Sequence, residues 1–340
     1  MFDLDLLVDI MSIDSTSGSE GGLADWLSGH LTREGWDVVR LPSTDPDDTR
    51  YNILVSAGTP KVVFCTHLDT VPPYIPPTLE AATDGDTVIR GRGACDAKGQ
   101  IVSMLCACRE LRRRGCSDFG LLLLYGEETG SFGAKAVRGL ISAPYLVVGE
   151  PTDNKMAVAA KGTKAFRLTI HGTSFHSGYP EHGESAVDTF VDIVNRLRAT
   201  DFGTDPDLGG TTFNIGRLSS DNPQNVLSPL LKCSIYFRTT FVSDSRVCAF
   251  MESLCSEKVE IEALGGDTPT RFLTLDGMPR CTVAFGSDAP QLTGFTHKIL
   301  CGPGSILVAH RPDEYVRLSE LIAATGNYID IYSRLSNNQI

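Results

Sequence analysis

Acidic and histidine side chains follow short apolar runs at several places in this 340-residue sequence. His67 and Asp69 come after the apolar residues 62–64, and Glu127 and Glu128 come after residues 121–125. Short continuous apolar runs are typical of buried strands, and the carboxyl ends of such strands meet at one crevice of an open α/β sheet. Imidazole and carboxylate groups that meet there can bind divalent metal ions, and a free carboxylate can act as a general base. The pattern predicts a metal-dependent catalytic site.

Three further positions extend this set. Asp96 lies in the glycine-rich string GRGACDAKG, at a position where a dinucleotide-binding fingerprint would need glycine. A carboxylate on such a tight turn can instead bridge two cations. Glu150 follows residues 145–148, and His310 follows residues 306–308, which we expect to form a strand. Each residue alone is more often structural, for example a loop histidine hydrogen-bonded to a nearby aspartate.

Together these positions predict a site for two metal ions. Its candidate ligands are imidazoles and carboxylates: His67, Asp96, Glu128, Glu150 and His310. One shared aspartate, with a histidine and a glutamate for each ion, leaves room for a water between ions roughly 3.5–4 Å apart. The mixed nitrogen and oxygen ligands suit zinc, with cobalt or manganese as substitutes. Asp69, on the same side of its strand as His67, is expected to orient the imidazole ring.

The elements that must position these residues alternate helices with short apolar strands. Residues 1–159 and 266–340 are expected to form one α/β catalytic domain, whose central, mostly parallel sheet is flanked by helices. Within residues 160–265 the order becomes strand, helix, strand, strand, helix, strand, which predicts an inserted ferredoxin-like α+β domain. Apolar spacing predicts a final helix over residues 318–335.

Composition excludes several function classes. With 30 basic against 42 acidic residues the formal net charge is −12, so nucleic acid is not an expected partner. No apolar run reaches the roughly 18 residues that a membrane-spanning helix needs, so no membrane association is expected. The first residues lack the pattern of a secretory signal, and the 10 cysteines include no Cys-x-x-Cys pair. We therefore expect a cytoplasmic protein with reduced cysteines.

The sequence resembles the metal-dependent family that includes aminoacylases, acetylornithine deacetylases, succinyl-diaminopimelate desuccinylases and carboxypeptidase G. The strings that carry the resemblance run in the family's order over nearly the whole chain: SIDSTSGSE, THLDTVP, GRGACDAKG, GEETGS, VVGEPT, HGTSFHSGYP, FGSDAP, and GPG followed by AHRPDEYV. Several motifs in order are far more specific than any one of them.

The resemblance implies roles for the catalytic residues. It implies two zinc ions that share Asp96 and are each completed by one histidine and one glutamate: His67 and Glu150 for one ion, and Glu128 and His310 for the other. It also implies that Glu127 is the general base, which takes a proton from water and passes it to the leaving amine, and that Asp69 stands behind His67. No covalent acyl-enzyme is expected.

Further positions match one more catalytic residue of the family and its substrate-binding residues. The resemblance implies that His176, in SFHSG, is a catalytic residue that reaches the active site of the neighbouring protomer and helps bind the oxyanion, which implies a homodimer; His171 lacks that motif. Asn225 and Arg238 would hold the carboxylate or backbone of the substrate, Arg238 through a bidentate contact. Small residues are expected to line the pocket: Ser287, Gly302 and Gly304.

The resemblance favours a dinuclear zinc amidohydrolase that removes an acyl group from an N-acyl amino acid. The compact chain is most similar to N-acetyl-L-ornithine deacetylase of arginine biosynthesis. Alternatives with the same chemistry are a succinyl-diaminopimelate desuccinylase, an N-acetylcitrulline deacetylase and a metallodipeptidase, which a few pocket groups would distinguish. A non-catalytic metal-binding paralogue is the alternative from another class, and the presence of Glu127 counts against it.

Overall fold

The computed structural model describes residues 2–337 of the chain. The chain divides into two compact units. The second unit consists of Ala159–Arg271 and Thr282–Gly286, and the first unit comprises the other described residues. Helices and sheets build both units, and the central sheet of the first unit is mixed, so the predicted α/β class is confirmed.

The secondary structure consists of helices alternating with short strands. The helices are α1 (Leu4–Met11), α2 (Gly21–Arg33), α3 (Lys98–Arg113), α4 (Phe132–Ala136), α5 (Ala186–Ala199), α6 (Asp244–Glu252) and α7 (Leu318–Ser336). The strands are β1 (Val38–Pro42), β2 (Tyr51–Ala57), β3 (Val62–His67), β4 (Thr78–Ala81), β5 (Thr87–Arg90), β6 (Phe119–Leu124), β7 (Ala143–Val148), β8 (Met156–Ala160), β9 (Gly162–His171), β10 (Thr204–Asp205), β11 (Gly209–Gly210), β12 (Thr212–Ser219), β13 (Leu230–Thr239), β14 (Val259–Gly265), β15 (Thr270–Arg271), β16 (Arg280–Val283), β17 (Phe295–Leu300) and β18 (Tyr315–Arg317). No helix within residues 2–337 combines the length and the apolar character that a membrane crossing requires.

A mixed sheet forms the centre of the first unit, in the order β1-β2-β6-β3-β7-β17. Strands β6, β3, β7 and β17 run parallel, whereas β1 and β2 form an antiparallel edge. Strands β3 and β6 are buried along their whole length, as continuous apolar runs predict. The predicted mostly parallel sheet is confirmed.

The register of the parallel strands brings their carboxyl ends to one edge of the sheet. His67, the last residue of β3, pairs with Leu124, the last residue of β6. Cys65, two positions earlier on β3, pairs with Val148, the last residue of β7. Glu127 follows the end of β6 by three residues, and Glu150 follows the end of β7 by two. The sheet therefore delivers the histidine and both glutamates to the same edge.

Two packed helices support the turn that carries Asp96. Helix α3 starts at Lys98, immediately after that turn, and packs on β3 and β6. Helix α7 packs against α3 and covers β3. The Tyr328 hydroxyl of α7 donates hydrogen bonds to the side chain of Gln100 at 3.2 Å and to the carbonyl of Cys301 at 3.0 Å. These buried contacts fix the start of α3, and with it the turn, against the sheet.

The strand predicted over residues 306–308 is wrong. These residues form a turn, and the exposed fraction of Leu307 reaches 77%. The strand of this region is β17, which pairs in parallel with β7 and is buried at Ile299 and Leu300. A run of three apolar residues resembles a strand in sequence, but this one has no neighbouring strand to pair with. His310 is therefore supplied by a turn and not by a strand end.

The second unit contains a four-stranded antiparallel sheet in the order β12-β13-β9-β14. Helices α5 and α6 lie between its strands in the chain, which gives the predicted ferredoxin-like order. Strand β13 alternates buried and more exposed residues, and Cys233, Ile235 and Phe237 enter the core. The Ser185 side chain caps α5 by accepting a hydrogen bond from the backbone of Asp188 at 3.2 Å. The role of this unit in dimerisation stays a prediction.

Candidate active site

Asp96 lies between two histidine rings in the first unit. Its Oδ1 atom is 3.0 Å from Nε2 of His67, and its Oδ2 atom is 3.3 Å from Nε2 of His310. Nε2 of His310 is also 2.9 Å from Oε1 of Glu128. The fold therefore brings these predicted ligands together although they are far apart in sequence.

The hydrogen bonds of His67 define its tautomer. Nδ1 lies 2.9 Å from the carbonyl oxygen of Asp69, which can only accept, so Nδ1 donates. In a neutral ring Nε2 then carries the lone pair, and this lone pair faces the Asp96 oxygen. Two acceptors at that distance repel unless the ring is protonated or a cation lies between them. The Asp69 carboxylate, predicted to orient the ring, is 3.6 Å from Nδ1, so the carbonyl of the same residue takes that hydrogen bond.

The site concentrates negative charge around its two imidazoles. Hydrogen bonds to Asp96 and Glu128 raise the pKa of His310 to about 10. Burial alone would lower the pKa of His67, but its carboxylate neighbours raise it well above its usual range. Burial raises the pKa of Glu128 and that of Glu150, and the Asp96 carboxylate raises both further. Divalent cations would neutralise this excess of carboxylates.

The geometry of the donor atoms fits metal binding. Two ligands that are each about 2.0–2.2 Å from one tetrahedral zinc ion lie roughly 3.4 Å apart. The distances from Asp96 to the two histidines are close to that value. One ligand atom each from His67, Asp96 and Glu128 lies within 4.8 Å of the others. The two Asp96 oxygens face different histidines, as a carboxylate shared by two ions requires.

The backbone of His310 adopts an unusual conformation. Its φ angle is 64°, in the left-handed region that side chains other than glycine rarely adopt. Such conformations cluster at functional sites, where the surrounding structure maintains them. The His310 side chain is 47% exposed, whereas that of Asp96 is 6% exposed. Solvent and small molecules can therefore approach the site from the side of His310.

The Asp69 carboxylate connects three segments of the site. Its Oδ1 accepts a hydrogen bond from the backbone nitrogen of Glu127 at 2.9 Å, and its Oδ2 accepts one from that of Glu128 at 3.2 Å. Oδ2 also accepts a hydrogen bond from the Ser17 hydroxyl at 2.7 Å. Ser17 belongs to the string SIDSTSGSE, but its residue type alone gave no reason to assign it a role. Asp69 thus fixes the loop of the two glutamates as well as the strand end of His67.

Glu127 and Glu150 border the cluster of ligands. Burial raises the pKa of Glu127 well above its usual range, and the carboxylates of Glu150, Asp288 and Glu128 add to this effect, while His67 opposes it. Glu150 is buried, with 5% of its surface exposed. A glutamate that is close to the ligands and fixed by its backbone nitrogen can exchange a proton with a nearby water.

Two of the small residues predicted to line the pocket, Gly302 and Gly304, pack against the segments that carry the ligands. A side chain on Gly302 would place its first carbon 2.7 Å from the Glu150 carbonyl oxygen. Gly304 has a φ angle of 75°, and a side chain there would contact Cys95, the neighbour of Asp96. Ser287 is also buried. Gly302 therefore permits close approach to the backbone of Glu150, and Gly304 permits close approach to the Cys95 side chain beside Asp96.

Two of the predicted active-site residues are neighbours in the second unit. His176 pairs through its backbone with Val226, and the carbonyl of Asn225 accepts a hydrogen bond from the backbone nitrogen of Ser177 at 2.9 Å. The ring of His176 is exposed, and its Nδ1 accepts a hydrogen bond from the Gly178 nitrogen at 3.0 Å. His176 and Asn225 thus lie on two loops that pair through their backbones and are open to solvent.

Arg238 lies at the other end of the same sheet. It pairs with Thr163 near the end of β13, whereas the first residue of β13, Leu230, pairs with His171. Backbone pairing continues beyond Leu230 toward the loop of His176. At about 3.3 Å per residue, Arg238 is roughly 25 Å from the beginning of its strand. One protomer therefore keeps Arg238 far from His176.

Comparisons with known proteins identify a family and relatives of the chain. A family model described as Peptidase family M20/M25/M40 matches residues 63–335. The chain is 34% identical over 330 residues to a peptidase M20 domain-containing protein of Schizosaccharomyces pombe, with 94% of this chain and 81% of the relative covered. It is 30% identical over 363 residues to a probable carboxypeptidase of Aspergillus oryzae, with 94% and 87% covered.

The fold is shared with solved structures. A tripeptidase from Staphylococcus aureus aligns with a TM-score of 0.81 and 19% sequence identity, covering 97% of this chain and 98% of that one. This match confirms the fold, and the family model and the sequence relatives confirm the predicted class of enzyme. The chain belongs to peptidase family M20/M25/M40 and is a hydrolase that acts on amide bonds.

Proposed function

We propose that the chain uses two divalent metal ions to hydrolyse the amide bond of a short peptide or an N-acyl amino acid that carries a free carboxylate. The observation that carries this proposal is the position of Asp96, with one oxygen 3.0 Å from Nε2 of His67 and the other 3.3 Å from Nε2 of His310. A carboxylate in this position can be shared by two ions. Zinc is the proposed metal because nitrogen and oxygen ligands are mixed, and cobalt or manganese could replace it.

Each proposed metal site has three protein ligands. Asp96 is common to both, with His67 and Glu150 completing one site and Glu128 and His310 completing the other. When bound, the ions would polarise the scissile carbonyl and make a water more acidic. The side chains maintain this arrangement because Asp96 is buried and its turn is fixed at the start of α3.

Glu127 is the proposed general base. Its carboxylate would take a proton from the attacking water and deliver it to the nitrogen of the leaving amine. The hydrogen bond from its backbone nitrogen to Asp69 holds Glu127 beside the ligands. Because burial raises the pKa of this carboxyl, it would bind a proton readily in the course of the reaction.

The second unit supports a shared active site in a homodimer. Arg238 is proposed to bind the substrate carboxylate, while His176 and Asn225 contact the reacting group or the substrate backbone. Since Arg238 lies roughly 25 Å along β13 from the end near His176, both cannot contact one small substrate within a protomer. His176 is therefore proposed to act at the active site of the partner protomer.

Several individual substrates fit the proposed class. N-acetyl-L-ornithine stays a prediction, as do N-succinyl-diaminopimelate and N-acetylcitrulline. Relatives named as carboxypeptidases make short peptides equally good candidates. All of these substrates pair an amide with a carboxylate, so Arg238 could serve each of them. A cytoplasmic location is proposed on the sequence pattern alone.

A substrate panel with a matched pair of variants tests the proposal. The protein, loaded with zinc or cobalt, is expected to hydrolyse at least one of the acetyl, succinyl or dipeptide amides. Glu127→Gln should keep the metal content but lower kcat about 100- to 10,000-fold. Glu257→Gln, at an exposed position of the second unit, is the control and should retain full activity. Unchanged turnover in Glu127→Gln would remove the assigned base, and full metal loading without any hydrolysis would favour the non-catalytic alternative.

A further inference from the structure

Arg92 and Glu314 form a buried ion pair beside the site, and each is only 1% exposed. Oε2 of Glu314 accepts a hydrogen bond from the Arg92 guanidinium. Arg92 also donates to the carbonyl oxygens of Pro73 at 3.4 Å and Arg311 at 3.3 Å. The pair thus connects the segment of residue 311, next to His310, with the glycine-rich segment that starts at residue 91.

The other oxygen of Glu314 binds the turn of Asp96 directly. Oε1 accepts hydrogen bonds from the backbone nitrogens of Gly93 at 3.0 Å, Cys95 at 3.0 Å and Asp96 at 3.1 Å. Both carboxylate oxygens are therefore occupied by donors, so Glu314 is not itself placed as a metal ligand. Its position in the chain, four residues after His310, lets one side chain connect the two segments that carry Asp96 and His310.

We propose that Glu314, held by Arg92, is a positioning residue that sets the separation between the Asp96 carboxylate and the His310 ring. This role rests on the metal centre of the proposed function. A hydrophobic pair could replace a buried ion pair at little cost in stability, but it could not accept hydrogen bonds from three buried backbone nitrogens. Without that acceptor the turn would reorient to satisfy its nitrogens, and the shared carboxylate would move away from one of the histidines.

Cobalt binding tests this role separately from folding. Two double variants each remove both charges of the buried pair. One combines Arg92→Met with Glu314→Met (Met/Met), and the other combines Arg92→Met with Glu314→Gln (Met/Gln). The glutamine can still accept from the turn, and its amide can donate to the carbonyls that Arg92 leaves. We expect the Met/Met variant to bind Co²⁺ about 10- to 100-fold more weakly, with an altered visible absorption spectrum, and the Met/Gln variant to bind nearly as well as the wild type.

A core variant and a single variant complete the design. Leu27→Ala, in the buried core on α2, should lower the melting temperature without changing the Co²⁺ affinity. Glu314→Asp keeps both charges but withdraws the carboxylate from the turn by roughly 1.5 Å, so it should also weaken Co²⁺ binding. If the Met/Met variant does not fold, Glu314→Asp is the variant that tests the role of Glu314.

Several outcomes would overturn the role of Glu314. The first is a wild-type Co²⁺ affinity in the Met/Met variant or, if that variant does not fold, in Glu314→Asp. The second is a loss of Co²⁺ affinity in Leu27→Ala as large as that in the Met/Met variant. The third is an equal loss of Co²⁺ affinity in the Met/Gln and Met/Met variants. Absence of Co²⁺ binding by the wild-type protein would instead refute the metal centre itself, and the role of Glu314 with it. Failure of the proposed function and failure of this role alone therefore give different results.

Discussion

Replacing Gly304 with alanine tests how tightly the segment before His310 packs against the turn of Asp96. Gly304 has a φ angle of 75°, and a Cβ atom there would lie 2.6 Å from Sγ of Cys95. The left-handed conformation costs an alanine about 1–2 kcal/mol, and overpacking a buried contact costs about 1–3 kcal/mol. We therefore expect Gly304→Ala to lower the free energy of unfolding by about 2–5 kcal/mol.

A double-mutant cycle separates the two costs. Cys95→Ala removes the sulfur that the new Cβ would meet, so in that background Gly304→Ala should cost only the conformational part, about 1–2 kcal/mol. The difference between the two backgrounds, measured by urea unfolding, should be about 1–3 kcal/mol. Gly326→Ala, an exposed helical position with open space around it, is the control and should raise stability by about 1 kcal/mol.

Two results would refute this reasoning. If Gly304→Ala costs the same with and without the Cys95 sulfur, the close contact does not contribute. If Gly304→Ala costs no more stability than a substitution at an exposed loop position, the left-handed backbone at residue 304 is not required.

The remaining predictions concern the dimer and a buried lysine. Mixing His176→Ala with Glu127→Gln subunits should restore activity to some heterodimers, because one active site would then have both residues; no recovery after verified subunit exchange would contradict a shared site. Burial lowers the pKa of Lys98 from its ordinary 10.5 to about 8, so the unfolded state binds more protons between these pH values and stability should rise with pH. Relative to Lys98→Met, the wild-type free energy of unfolding should gain about 3 kcal/mol from pH 8 to 10.5, and a constant difference in urea unfolding would contradict this.

The parallel strands were predictable because their sequences leave little choice. The runs at residues 62–64, 121–125 and 145–148 are too apolar for an exposed position and too short for most helices, and each becomes a strand of the central sheet. The convergence of His67, Glu127 and Glu150 follows from parallel register. Sequence alone could therefore predict which edge of the sheet carries the candidate site.

Other features depend on contacts that one segment cannot reveal. Residues 306–308 look like a strand, but β17 occupies the sheet position, and the sequence FTHKIL mixes polar and apolar residues. The Asp69 carboxylate accepts hydrogen bonds from backbone nitrogens some 60 residues later in the chain. Every residue type except proline has a backbone N–H, so the residue types there do not indicate this contact. Only the three-dimensional structure could assign roles to Ser17 and Glu314.

The ion pair between Arg92 and Glu314 joins segments on either side of the second unit in the chain. During synthesis, Arg92 and the turn of Asp96 emerge long before their partner carboxylate exists. Until residue 314 is available, a cation that is later fully enclosed has no counter-charge, and three backbone nitrogens must be satisfied by water. The proposed metal centre therefore matures only after the segment of residue 314 has packed against the turn of Asp96, so loading with metal reports that these two parts of the first unit have come together.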